Sequence, residues 1–159
     1  MSMWRPHTTA LIIIGVVVCI AAVVALLFWL YPKSMDVSLG KGDFHLRVAD
    51  TEDSRTRGLS NTAHLDKNSG IIMVFESSGL WGIWMKDMKI PIDIIWLDEA
   101  RTVVHIEENV SPEGGTSTTF SPTQLSKYVI ELPAGTVKSE GVVNGDTATF
   151  GEEKRFLWW

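Results

Sequence analysis

The residue types able to do chemistry are densest in one run, Trp81-Gly82-Ile83-Trp84-Met85-Lys86-Asp87-Met88-Lys89-Ile90-Pro91-Ile92-Asp93-Ile94-Ile95-Trp96. Trp84 offers a flat face that can stack on a sugar ring, Lys86 an ammonium, and Asp87 and Asp93 carboxylates. Trp81, three residues before Trp84, would lie on the opposite face of a strand, which predicts one buried and one exposed indole. Asp93 sits within an apolar run and shares a face with Ile95 and Leu97. A carboxylate in such surroundings must be hydrogen-bonded, paired or protonated. It therefore reads either as a ligand anchor or as a structural tie that holds a neighbouring loop through backbone N–H groups. Asp87 and Asp93 also resemble an acid pair for glycoside hydrolysis, but that chemistry needs carboxyls about 5–9.5 Å apart, and sequence sets no distance. Arg57 and Glu131 are expected to form an ion pair near the end of a short helix.

Other chemistries lack their signatures. His45, His64 and His105 stand at no ligand spacing, and His45 and His105 read as solvent-facing strand positions. The chain has neither a Gly-rich phosphate loop nor a Gly-x-Ser-x-Gly element. Its single cysteine, Cys19, lies in a hydrophobic run, so the remainder has no thiol nucleophile and no disulfide. No cofactor or metal is expected, and the chain reads as a binding module rather than an enzyme.

The elements that must position these residues follow from periodicity. Phe44, Leu46 and Val48 alternate with His45, Arg47 and Ala49 as in a half-buried strand. Asp50 or Thr51 can cap a short helix running to Leu59, with Glu52 and Asp53 in its first turn and Gly58 near its end. Ile71–Phe75 and Leu80–Met85 read as short strands, and Ile92–Leu97, apolar on both faces, as a central one. A turn over Asp98–Arg101 returns the chain as a partner strand over Thr102–Val110. The Gly-, Ser-, Thr- and Pro-rich stretch Ser111–Pro122 reads as a loop able to act as a lid. Tyr128–Leu132 is a strand, Pro133–Gly135 a turn, Thr136–Glu140 a helical turn, and Asn144-Gly145 a tight hairpin turn before a last strand over Thr147–Phe150. Many short strands with one or two short helices predict a mainly β (α+β) fold: a small barrel-like or strongly bent, antiparallel-rich sheet.

Several of these pieces occur together in a known family. Arg57-Gly58-Leu59, Gly70-Ile71 to Phe75, Trp84-Met85-Lys86 and Ile90-Pro91-Ile92-Asp93-Ile94-Ile95 come first. Val103-Val104, Glu108-Asn109-Val110, Tyr128-Val129-Ile130-Glu131-Leu132-Pro133-Ala134-Gly135 and Gly145-Asp146 follow. In this order they resemble the family of uncharacterised proteins called domain of unknown function 192. The resemblance implies a small β-rich domain, often exported, with no established activity. This chain departs from the family at Ser60, where Met is usual, and at Asp87-Met88, where Asn-Thr is usual.

The N-terminal region has a different character. From Ala10 to Tyr31 no residue is charged, a length of about 20 apolar residues being what a helix needs to cross a bilayer core. A cleaved signal peptide has a shorter apolar region ending in small residues, whereas this run ends in Leu26-Leu27-Phe28-Trp29-Leu30-Tyr31. The expectation is one transmembrane helix over 10–31, a tail 1–9 on the cytoplasmic side, a linker over 32–42, a globular domain over 43–151 and an aromatic tail over 152–159. Arg5 and His7 before the run set its orientation by the positive-inside rule. Outside residues 1–34, which contain Arg5 and Lys33, 12 basic residues face 19 acidic ones, a net of −7 that disfavours nucleic acid as a partner. The function expected is a membrane-anchored, extracytoplasmic binding or accessory domain for a small polar or glycan-like ligand, centred on Trp84, Lys86, Asp87, Asp93, Arg57 and Glu131. The alternatives are an interaction module of a cell-envelope complex, with the aromatic tail making contacts, and a hydrolase using Asp87 and Asp93.

Overall fold

The computed structural model describes residues 6–30, 33–114, 118–151 and 154–155. The chain divides into two units, 33–154 and a second containing residues 1–32. The second unit holds helix α1 (Pro6–Leu30). Its side chains are described over 10–26, seventeen residues, which rise about 26 Å against a hydrocarbon core of about 30 Å. Among the described residues, no helix is long and apolar enough to cross a membrane. The transmembrane assignment of 10–31 is therefore not part of the observed fold. Of the expected aromatic tail 152–159, only Lys154–Arg155 lies within the described residues, as a two-residue strand.

The larger unit is a mainly β, half-barrel curled sheet with few short helices. Its principal strands are β1 (Lys33–Leu39), β2 (Gly42–Ala49), β3 (Ser69–Gly79), β5 (Ile92–Leu97), β6 (Val103–Val110) and β8 (Ser126–Pro133). They lie in the order β1-β2-β3-β8-β5-β6. All neighbours are antiparallel except β2 and β3, whose parallel pairing needs a crossover. Helix α2 (Glu52–Arg57) and the chain after it supply that crossover. A second small ribbon pairs β4 (Ile83–Trp84) with β7 (Thr119–Phe120). After β8 come α3 (Thr136–Glu140) and β9 (Thr149–Phe150), the latter pairing β1.

Strand register assigns the central side chains to two faces. Across one row Arg47, Ile71, Glu131 and Ile94 oppose one another, so all four point to the same side. With Met73, Phe75, Trp96 and Val129 this side forms one apolar cluster. The alternating residues Leu46, Val48, Ile72, Ile95, Ile130 and Leu132 form the other. Both faces are covered, which is why β5 is buried at every position.

Three expectations are corrected. Residues 32–42 are not a linker: Met35, Val37 and Leu39 are buried in alternation with exposed Asp36 and Ser38, and β1 pairs with β2 across Gly40-Lys41. The domain thus begins at Lys33, ten residues before Asp43. Leu80–Met85 contributes only the two strand residues of β4, because Trp81 leaves extended pairing to stack on Phe75. Asn144-Gly145 does turn the chain, with Gly145 at φ 95° and Asp146 N donating to the Val143 carbonyl at 3.1 Å, but among the described residues no strand ladder extends from the turn. Thr147 bridges Thr102 and β9 joins β1.

Candidate functional site

Helix α2 lies over the Arg47–Glu131 face and walls one side of a cleft of about 840 Å³. The helix starts where the sequence says it should. Thr51 accepts from Ser54 N at 3.2 Å, and Ser54 Oγ accepts from Thr51 N at 3.0 Å, a reciprocal cap. It ends at Gly58, whose φ of 47° and ψ of −128° suit glycine alone. That backbone geometry turns the Gly58 carbonyl onto Arg47 Nη2, 2.5 Å away, and lets the chain pass close to Glu131.

Aromatic rings form another part of the lining. Arg55 lies 5.0 Å from the Phe75 ring centroid, and the Trp81 ring stacks on Phe75 at 4.2 Å, nearly parallel. Arg55 is fixed by donating to the carbonyls of Asp50 and Val74 at 2.8 and 2.9 Å. Trp81 is fixed by its own carbonyl, which accepts from the buried Trp96 indole at 2.8 Å. Trp84 stands at the mouth, 42% exposed, with the Lys86 ammonium 5.6 Å from its centroid. Trp81 is half-buried against the apolar cluster and Trp84 is exposed, and both line the cleft.

Glu131 forms the floor. It is 3% exposed, and among the described residues no group donates to its Oε2. Burial pushes the carboxyl up to about 7, against the pull of Arg47. Burial also lowers Arg47, with Glu131 opposing that shift and Arg57 adding to it. Arg57 and Glu131 are not joined by an ion pair; the cation that acts on Glu131 is Arg47, two strands away across the same row. Sequence reading placed Arg47 on the polar side of a half-buried strand. The signal it lacked was the parallel β2–β3 register, which sets Arg47 and Glu131 on either side of Ile71.

A smaller hollow of about 350 Å³ adjoins the cleft through Arg57, Ser60 and Trp84 and contains Lys86 and Asp87. The turn that carries Lys86 and Asp87 is tied to the segment after α2: Ser60 Oγ donates to the Lys86 carbonyl and Asn61 N to that of Asp87, both at 2.8 Å. Asp87 adopts a φ of 57°, a left-handed conformation that Asp and Asn tolerate better than other side chains.

Asp93 lines neither hollow. It pairs with Leu132 and points to the other face of the sheet. There its Oδ1 accepts from Asn109 N (2.8 Å) and Gly135 N (3.2 Å), and its Oδ2 from Val137 N (2.8 Å). It joins β5 to the end of β6 and to the start of α3. Of the six expected site residues, five therefore surround the two adjoining hollows, and Asp93 stands apart. Among the described residues, no group of three His, Cys, Asp or Glu side chains is placed to hold a metal ion.

Residues 35–150 match the sequence pattern of domain of unknown function 192, an uncharacterized ACR family. The chain belongs to this family. UPF0127 proteins of Thermococcus gammatolerans and Thermococcus kodakarensis are similar to it, at 30% identity over 102 residues and 29% over 101. Each match covers 64% of this chain, and 63% and 61% of the respective relatives, so the chain spans less than two thirds of their length. The crystal structure of a Sinorhizobium meliloti protein described as a proposed transcription regulator superposes with a TM-score of 0.68 at 27% identity. That likeness covers 76% of this chain and 95% of the other. A Novosphingobium aromaticivorans protein of unknown function shares the fold, with a TM-score of 0.66 at 24% identity over 73% and 83% of the two chains. The family's Arg57-Gly58-Leu59 and Tyr128-to-Gly135 segments thus meet in space, around Glu131.

Proposed function

We propose that this member of the family is a binding module for a small, polar, glycan-like ligand, and that α1 holds it at a membrane with the β domain outside the cytoplasm. The observation that carries the ligand reading is the cleft itself. A stacked Trp81 and an exposed Trp84 offer flat apolar faces, and Glu131 below them offers a buried oxygen without a protein donor. Sugars present that combination, an apolar ring face and hydroxyl donors at its edge, and ligand sites commonly pair apolar walls with a few convergent polar groups. The membrane reading is supported by the absence of charge from Ala10 to Tyr31.

The paired-acid hydrolase gains no support, since Asp87 is exposed at the smaller hollow and Asp93 is enclosed on the other face. The role described for the Sinorhizobium protein is not carried over, because a body of net charge −7 repels a phosphate backbone.

The test is titration of the full-length chain in detergent with mono- and disaccharides while tryptophan fluorescence is followed. Binding should shift the emission, and Trp84→Ala should weaken it about tenfold or more, as loss of a stacking face costs about 1–2 kcal/mol. A flat response across neutral, acidic and amino sugars would remove the ligand reading. Membrane fractionation tests the anchor: recovery of the intact chain among soluble cytosolic proteins would remove that part alone.

A further inference from the structure

We infer that the cleft selects ligands carrying a protonated amine, whose ammonium group binds Glu131 Oε2 at the floor; this rests on the binding-module reading above. The floor lacks a donor to Oε2, and Arg47 offsets the burial of the carboxyl only in part. Arg47 Nη2 is directed to the Gly58 carbonyl, and Arg55 Nη1 to the carbonyls of Asp50 and Val74. No ion pair to Glu131 is formed among the described residues, and no protein group donates to Oε2. A hydroxyl supplies one donor but no charge. An ammonium supplies three donors and adds positive charge where Arg47 alone does not offset burial.

The charges of the mouth balance, so they do not repel a cation. Asp50 is paired with Lys33, which leaves Glu52 and Glu76 as acidic lining beside Arg55 and Arg57. Arg55 is already held by two carbonyls and stacked on Phe75, so it is poorly placed to bind an anionic ligand. The charged groups that line the cleft with Glu131 are Arg55, Arg57 and Glu52 from α2, Asp50 before it and Glu76 from β3; Arg47 from β2 acts on it across the row, with apolar Ile71 and Ile94 on the flanking strands. Burial keeps Glu131 partly protonated near neutrality. A bound ammonium favours the carboxylate, so binding below that range releases a proton to solution.

Glucosamine, N-acetylglucosamine and glucose separate the possibilities, since they share a ring and differ at one substituent. Calorimetric titration of the full-length chain at pH 7 should show glucosamine bound at least tenfold more tightly than the other two. At pH 6 its binding heat should vary with the buffer's ionisation enthalpy, reporting proton release. Glu131→Gln, checked for its fold by circular dichroism, should bring the three sugars within about twofold of one another, while Glu131→Asp retains part of the preference. Equal affinities for the three sugars in the wild type would overturn the amine assignment and leave the binding module standing. A preference that survives in Glu131→Gln would overturn it as well, by placing the amine elsewhere. Failure of all three to bind, in a protein that also ignores the wider sugar set, would overturn the underlying reading.

Discussion

Replacing Glu131 by Gln should stabilise the folded protein at neutral and alkaline pH, and leave it nearly unchanged in acid. The carboxyl is 3% exposed, and burial moves it from 4.5 to about 7. Between those values the folded chain holds a proton that the unfolded chain has released, so stability falls as pH rises through the window. Below pH 4.5 both states are protonated and nothing is lost; above about pH 7 the full cost is present. Each unit corresponds to 1.36 kcal/mol, so the cost is about 3 kcal/mol. Gln has the shape of the protonated acid and does not ionise, so it escapes that cost. For a domain of this size, Tm at pH 8 should exceed the wild type's by about 10 °C, with a difference of at most a few degrees at pH 4. Thermal unfolding followed by near-ultraviolet circular dichroism at pH 4, 6 and 8 measures both. A Tm difference that stays constant across those three values would refute the reasoning, because only a titrating group makes it grow with pH. Arg47→Met adds a sign check: removing the cation raises the Glu131 carboxyl further and extends the decline to higher pH.

Asp93→Ala should cost about 3–5 kcal/mol in urea denaturation, because it leaves the N–H groups of Asn109, Gly135 and Val137 without their acceptor; a loss under 1 kcal/mol would mean that water replaces the carboxylate. Gly58→Ala should cost about 1–3 kcal/mol, since φ 47° with ψ −128° is strained for any residue with a Cβ, and denaturant midpoints against an exposed control such as Thr56→Ala measure it. Asp87→Asn should be neutral, whereas Asp87→Val should cost about 1–2 kcal/mol, because a β-branched residue resists φ 57°; equal stability of the two variants would show that the turn simply relaxes.

Strands with two-residue alternation were legible because that pattern has no helical counterpart, and the continuously apolar run because it is too short for a buried helix. Phe44 to Val48 and Ile92 to Leu97 are examples. The helix start at Thr51 and the glycine at its end were legible for the same local reason, since capping is decided by neighbours in sequence. β1 was missed although Met35, Val37 and Leu39 alternate cleanly. Pro32, Gly40 and Gly42 frame it so tightly that the stretch reads as punctuation, and only pairing with both β2 and β9 gives the pattern somewhere to be buried. Trp81 lies just before β4 and is held by stacking on Phe75 and by the Trp96 indole on its carbonyl, contacts distant in sequence.

The site itself shows a different limit. Glu131 and Asp93 look alike in sequence, each an acid within an apolar strand, yet one floors a cleft and the other fastens loops on the reverse side of the same sheet. What separates them is register. β5 and β8 pair so that Ile94 stands against Glu131 and Asp93 against Leu132, and that one-residue offset sends the two carboxyls to opposite faces. On the α3 side the chain turns three N–H groups toward Asp93 and satisfies it completely. On the α2 side Gly58 brings a carbonyl that takes Arg47's guanidinium and leaves Glu131 with an oxygen to spare. A buried carboxyl satisfied by backbone donors holds a fold together, and one left unsatisfied at the base of a cleft weakens it until something binds. The stability cost at Glu131 and the ligand preference of the cleft therefore have one cause. A ligand that supplies the missing donor should raise Tm more at pH 8 than at pH 5, and should lose that pH dependence in Glu131→Gln.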